Sequence, residues 1–341
     1  MPNWLKSMLS GGAAPGVFLG AFGKHPGWDD HIEPIGLDSE ALLAARDILY
    51  TRGIGGVINE ALWEKKPEET LPQIAHLFSW NGESDTIIGR MWSSVDGKGR
   101  ARYPMVAVVH LELPFSYALA MRASRVLAGV EARCRQATTA VEVRGVFASG
   151  LEELRASLAQ PPDGLGAEPD RAICTRVASG MGLNEGDTFA RVLYAVERIR
   201  PNAHTPKTAS SKINLKLLES TVPAQQYRLP MDTQDSIDGI AFWQKVVTDF
   251  THPKLPLLFL HPTGYPWVDL VVGTPTPRQL YCIRANETGL PPASAVPYEL
   301  DDAFKQEAAA FISKTCDLTP VPSRPMFAAV SDTPPPLPPL G

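Results

Sequence analysis

The chain has 341 residues, enough for two domains of ordinary size, and its 44% hydrophobic and 20% charged residues have the balance of a soluble globular protein. A net charge of −5 gives no overall attraction to nucleic acid or to an anionic membrane. No apolar run approaches the roughly 18 residues that a spanning helix needs.

Residues 1–15 carry a small amphipathic patch (Trp4, Leu5, Met8, Leu9) without the continuous apolar core of a signal peptide, and a flexible N-terminus is expected. The apolar run Val17 to Phe22 reads as a short buried strand. Asp38 or Ser39 can cap a helix running to about Thr51, with Leu42, Ala45 and Leu49 on one face and Gly53 as its stop. A second helix is expected over about Gly55 to Glu64. Three strand-like runs follow, His76 to Trp80, Thr86 to Trp92 and Pro104 to Leu111, with a tight hairpin turn at Asn81-Gly82. Ser116 to Gln136 is the longest helical pattern. The stretch from about Gly150 to Arg200 reads as helix, loop and helix, interrupted at Pro161, Pro162 and Gly164.

Beyond a turn-rich segment, the pattern resumes with a helix near Ser236 to Phe250 and strands at Leu255 to Leu260 and Val268 to Val272. A further extended run at Gln279 to Arg284 and a last helix near Asp301 to Lys314 complete it. Hairpin-linked strands with helices before and after them imply an α+β class: a central, largely antiparallel sheet flanked by helices, with a second, smaller α+β subdomain. The last 25 residues hold eight prolines and end Pro-Pro-Pro-Leu-Pro-Pro-Leu-Gly, a composition that favours polyproline II and disorder. Residues 334–340 have the chemistry of a ligand for an aromatic groove domain. The four cysteines, Cys134, Cys174, Cys282 and Cys316, form no close pair, and reduced buried thiols are expected.

Two stretches concentrate chemistry. Gly20 to Glu33 follows the first strand and places Lys24, His25, Asp29, Asp30, His31 and Glu33 on an irregular turn broken by Gly23, Pro26 and Gly27. It is not a phosphate loop, because Phe18 and His25 stand where that motif needs Gly and Ser or Thr. His25, Asp30 and His31 are ligand types for a divalent metal, and a metal-dependent hydrolase centred on residues 24–33 is one alternative. A hydrogen-bonded turn with Lys24 paired to a carboxylate is the other. The second stretch, Arg90 to Pro104, links two strands through a basic, glycine-rich turn carrying Asp96, Lys98, Arg100 and Arg102. Three cations within five residues suit an anionic group or an acidic partner.

On these residues the chain resembles the TagF family of type VI secretion systems. Gly23, Lys24, Pro26 and Asp30 match the pattern G-K-x-P-x-x-G-D-F, while Asp29 and His31 replace its Gly and Phe. Ser94, Val95, Asp96, Gly99, Arg100 and Pro104 match P-S-V-D-x-x-G-R-Y-F-P with one extra residue before the proline. Gly273 to Pro277 is loosely similar to the family's closing segment. The resemblance covers about 16–115 and implies a divergent, extended member. It implies a TagF-like domain over 16–200 with a helical extension, followed by a linker at 201–212, the smaller subdomain at 213–316 and the Pro-rich tail at 317–341.

The role implied is non-enzymatic and cytoplasmic, with no cofactor: a post-translational brake on secretion assembly, acting through a forkhead-associated (FHA) protein. The surface implied is the loop from Lys24 to His31 facing the loop from Asp96 to Arg102. Asp30 and Arg100 are expected to approach where two strand ends meet, as a partly buried pair that holds the loops in register. A scaffold that recruits a partner through the Pro-rich tail is a further alternative.

Overall fold

The computed structural model describes residues 15–56, 74–101, 103–161, 164–199, 212–220, 222–233, 236–284, 290–295 and 299–318. The expected helix over Gly55 to Glu64 falls largely outside them, as do the expected linker, nearly all of residues 1–15 and nearly all of the Pro-rich tail.

The fold is α+β, built on one seven-stranded antiparallel sheet. In chain order the strands are β1 (Val17–Gly23), β2 (Ala75–Asn81), β3 (Thr86–Trp92), β4 (Met105–Leu111), β5 (Gln225–Pro230), β6 (Leu257–Pro262) and β7 (Trp267–Val272). Their spatial order is β1-β4-β3-β2-β6-β7-β5. The strands of residues 213–316 therefore make no sheet of their own. β6 pairs with β2 in register Phe78↔Leu260, so the later strands extend the earlier sheet and share its core. β2 offered a free hydrogen-bonding edge as apolar as its neighbours, and β6 satisfies it.

Both faces of this sheet are covered. Along β4, Met105, Ala107, Val109 and Leu111 enter one apolar cluster, and Val106 and Val108 enter the other. That alternation is why the strand reads as an unbroken apolar run. One face packs on α2 (Tyr117–Gln136), α3 (Ala140–Ala159), α4 (Arg171–Gly180), α5 (Thr188–Val196), α6 (Ser236–Thr251) and α7 (Asp302–Thr315). The other packs on α1 (Glu40–Ala45), which continues as a π-helix through Arg46–Ile54, and on a 3-10 turn at Gln279–Arg284.

Several expectations are refined. Ser39 caps α1 by accepting the Leu42 N–H, but the helix widens into a π-helix at Arg46, a form that often marks functional sites. The hairpin after β2 uses Gly82 to Asp85, closed by Gly82 N–H to Asp85 C=O at 2.9 Å, and is thus longer than a two-residue turn. Gln279–Arg284 is a 3-10 turn: Leu280 and Ile283, three residues apart, are both buried, which suits a three-residue period rather than a strand. β5 and α4 were not legible as elements. β5 is polar, and its place depends on Arg228, which forks onto Asp269 of β7 (Nε to Oδ1 2.8 Å, Nη2 to Oδ2 3.0 Å) at a register position.

Gly89 sits opposite Phe78, and a Cβ there would lie 2.1 Å from the ring of a wholly buried phenylalanine. Gly89→Ala is expected to lower unfolding free energy by about 2 kcal/mol through overpacking. Urea denaturation checks this, and an unchanged midpoint would mean that the Phe78 ring has room to move.

Three histidines lie inside the sheet. His76 and His110 have no hydrogen-bond partner on either ring nitrogen among the described residues, while His261 donates its Nδ1–H to the Trp267 carbonyl at 2.9 Å. Burial drives all three toward the neutral form, His76 to about 3 and His110 to about 4, with His261 further lowering His76. Their folded values lie below the unfolded one, so the unfolded chain takes up more protons as pH falls. Their contribution to stability is complete above about pH 6.5 and is lost as pH falls below it. Buried Asp85, pushed up to about 6, works in the opposite sense. His76→Leu isolates one histidine: its loss of melting temperature between neutral and mildly acidic pH should be smaller than that of the parent protein. An equal loss would show that His76 carries none of the effect.

Candidate functional site

The antiparallel pairing aligns Gly23, Met105, Trp92 and Ala75 at one end of the sheet. The loop that follows β1 and the loop that precedes β4 are thereby brought together. Gly23 makes the junction possible. Its φ is +123°, and a Cβ would lie 2.2 Å from the Pro104 carbonyl oxygen, so glycine alone fits. Lys24 N–H donates to the same carbonyl at 3.2 Å, and Gly97 N–H donates to the Trp28 carbonyl at 2.6 Å, stitching the loops directly.

The centre of the site is Asp96. Its side chain is 0% exposed, and Lys24, 5% exposed, donates to Oδ2 at 2.7 Å. Arg100 Nε reaches the same oxygen at 2.7 Å, and the backbone N–H groups of Lys98 and Arg100 donate to Oδ1 at 3.0 Å. Burial pushes this carboxyl upward, but the Lys24 ammonium, the two amides and the Arg100 guanidinium outweigh it and hold Asp96 well below the usual carboxylate range.

An outer layer surrounds that pair. Arg100 Nη2 lies 3.2 Å from Asp30 Oδ1 and donates to the Asp29 carbonyl at 2.8 Å. Lys24 Nζ is 3.7 Å from the same Asp30 oxygen, and His31 Nδ1 is 3.2 Å from it. Asp30 and Arg100 thus meet as expected, but at 65% and 50% side-chain exposure they form a surface pair. The buried carboxylate is Asp96, and its buried cation is Lys24. Residual burial raises the Asp30 carboxyl, while Arg100, His31 and Lys24 together lower it. Asp29, Pro26 and Lys98 are exposed on the rim. Arg102 lies outside the described residues.

Sequence reasoning did not single out the aromatic wall. Tyr103 packs against His31 with ring centroids 4.8 Å apart and lies 5.7 Å from Lys24 Nζ. Tyr50, from the π-helix, packs on both His31 and Tyr103 at 5.9 and 5.5 Å. Tyr103 stood inside the quoted basic stretch and could have been named. Tyr50 carried no local signal, because the widened helical turn that presents it is a tertiary outcome.

The three metal candidates do not converge. His25 is buried and points inward: Nε2 donates to the Cys134 carbonyl at 2.9 Å, and Nδ1 accepts the Gly27 N–H at 3.0 Å. Both ring nitrogens are committed, and burial favours the neutral ring. Asp30 and His31 are exposed and engaged with each other and with Arg100 and Lys24. Among the described residues no group of three His, Cys, Asp or Glu side chains is arranged to hold a metal ion. A cleft of about 640 Å³, lined by Asn81, Phe115, Pro169, Gln244 and Lys254 among others, lies at the opposite end of the sheet and contains none of the candidate residues.

Comparison with known proteins adds little. No family model matches the chain, and no curated protein matches it. Among solved structures, the chain is similar to the crystal structure of PA0076 from Pseudomonas aeruginosa PAO1 at 18% identity, over 44% of this chain and 65% of that one, with a TM-score of 0.31. A likeness that low carries no argument about function, and the match spans less than two thirds of the other chain.

The site distinguishes two kinds of residue. Lys24→Met leaves the Asp96 carboxylate buried with fewer donors and is expected to cost about 3 kcal/mol of unfolding free energy. Arg100→Ala, on the exposed side, should change stability far less. Because Asp96 titrates lower in the folded than in the unfolded chain, its contribution is present above about pH 4 and is lost as pH falls further. Chemical denaturation of the two variants checks this ranking, and a larger loss for Arg100→Ala would reverse the assignment of core and rim.

Proposed function

We propose that this protein is a non-enzymatic regulatory component of a type VI secretion system, related to TagF and acting in the cytoplasm by protein-protein contact. The observation that carries the reading is the convergence of the two loops that bear the resemblance. Residues some seventy positions apart in sequence meet around one buried carboxylate. The inner pair, Lys24 and Asp96, has no exposed reactive face. It stiffens the loops rather than presenting a nucleophile or a base. The outer residues, Asp29, Asp30, His31, Lys98 and Arg100, form a mixed-charge rim that such stiffening holds in one arrangement. Pre-organised polar rims of this kind suit recognition, because little side-chain entropy remains to be lost on binding. The partner favoured by the resemblance is an FHA-domain protein of the apparatus. Contact through the rim would withhold that partner from assembly.

The test is affinity capture from the native cell, comparing the intact chain with Asp30→Ala/Arg100→Ala. Secretion-apparatus proteins, an FHA protein among them, should be recovered with the intact chain and lost with the double variant while circular dichroism shows both folded. Recovery of no secretion component by the intact chain would refute the reading, and equal recovery by both would move the contact away from these loops.

A further inference from the structure

The four cysteines are unbridged and buried, but they are not equivalent. Cys174 lies in the first turn of α4, and Cys316 is the residue directly after α7. Their side chains hydrogen-bond to one another. Their backbones are fastened around that contact. Arg171 Nη2 donates to the carbonyls of Ser313 at 2.7 Å and Cys316 at 3.3 Å, and Asp317 N–H donates to Thr175 Oγ1 at 2.8 Å. Arg171 also forms an ion pair with Asp317 at 2.5 Å. The chain on each side of both sulfurs is therefore held in place, and the two thiols are kept as neighbours by contacts that do not involve sulfur.

We propose that Cys174 and Cys316 form a peroxide-responsive dithiol, which closes to an intramolecular disulfide and staples α4 to the end of α7.

The roles of the two sulfurs follow from their surroundings. The Cys316 S–H points its hydrogen bond at Cys174, which lowers the Cys174 thiol, against its burial, with help from the Lys245 ammonium. Cys316 is raised by that same hydrogen bond and by burial. Cys174 is thus the sulfur that ionises, and Cys316 is the one that keeps its proton. The other two thiols have no such neighbour. Burial pushes Cys134 up to about 12, and burial with the nearby Asp269 carboxylate pushes Cys282 up as well. Exposure does not explain the difference, since Cys174 and Cys316 are each 1% exposed and Cys282 is 7% exposed.

The chemistry balances with hydrogen peroxide as oxidant. The Cys174 thiolate attacks one peroxide oxygen, and the O–O bond breaks to leave Cys174 sulfenic acid and hydroxide. The hydroxide takes the proton that Cys174 released and becomes water. The Cys316 sulfur then attacks the sulfenic sulfur and expels hydroxide, which takes the Cys316 proton as a second water. Two thiols lose two electrons, and one peroxide is reduced to two waters. A low thiolate character would leave Cys134 and Cys282 inert to the same reagent.

The experiment treats the folded full-length protein with hydrogen peroxide, blocks the remaining thiols and maps the peptides without reduction. A Cys174–Cys316 linked peptide should appear, with Cys134 and Cys282 recovered as blocked thiols, and the melting temperature of the oxidised protein should rise and return on reduction. In Cys316→Ser the same treatment should leave Cys174 as a sulfenic acid that dimedone traps. In Cys174→Ser, Cys316 should stay unreacted. A link found only after denaturation, a link between two chains, or oxidation of all four cysteines alike would overturn the proposal. The wild-type mapping alone decides it if either serine variant fails to fold.

Discussion

Asp96 is a carboxylate with no exposed side-chain surface, and the end of the sheet where it sits depends on Lys24 being able to reach it. A charge in that position is tolerable only if every lone pair facing the interior has a donor. Lys24, the Arg100 guanidinium and two backbone amides supply them. The requirement propagates outward. Gly23 must adopt a positive φ so that Lys24 can turn toward the neighbouring loop, and Gly97 must let the Trp28 carbonyl approach its amide. One buried charge therefore dictates two glycine positions and the relative placement of two loops separated by some seventy residues.

The sheet that carries these loops is covered on both faces, which is less common for antiparallel strands than for parallel ones. The reason lies in how it is assembled. β1 to β4 alone would leave β2 as a free edge, and β6, β7 and β5 add to that edge rather than pairing separately. The helices of the middle and the end of the chain then share a single core against one face, while α1 and its π-helical continuation close the other. The π-helix matters to the site, because it carries Tyr50 to the wall that Tyr103 and His31 complete. Two well-separated regions of chemistry result. One is the charged loop cluster at the end of β1. The other is the thiol pair at the junction of α4 and α7, held by Arg171 and by hydrogen bonds that leave both sulfurs free to react.

Much of the fold was legible in the sequence because the signals were local. β2, β3 and β4 lie within a residue of where their apolar runs placed them, and α2 begins one residue after Ser116. The same locality explains the failures. Gln279–Arg284 alternates apolar and polar residues like a strand, yet no edge was left for it to pair with. β5 looks too polar to be a strand, and only its partner Asp269 makes Arg228 tolerable there. The candidate site divides along the same line. Residue types and glycine spacing singled out both loops, and the approach of Asp30 to Arg100 was expected from the resemblance. Which carboxylate would be buried was not legible, because Asp30 and Asp96 carry the same charge and both lie in polar turns.

By itself the sequence determined the elements and their class: period and capping are properties of a few consecutive residues and need no distant partner. It also determined that charged groups would cluster in two turns, since glycine and proline exclude regular structure there. Only the tertiary structure decided that seven strands form one sheet, that Asp96 rather than Asp30 is the buried anion, that His25 is spent on a backbone carbonyl and that Cys174 meets Cys316. Each of those outcomes depends on which distant groups come within hydrogen-bonding reach and on which of them lose contact with water. Burial and pairing are set by the assembled chain, not by any stretch of it.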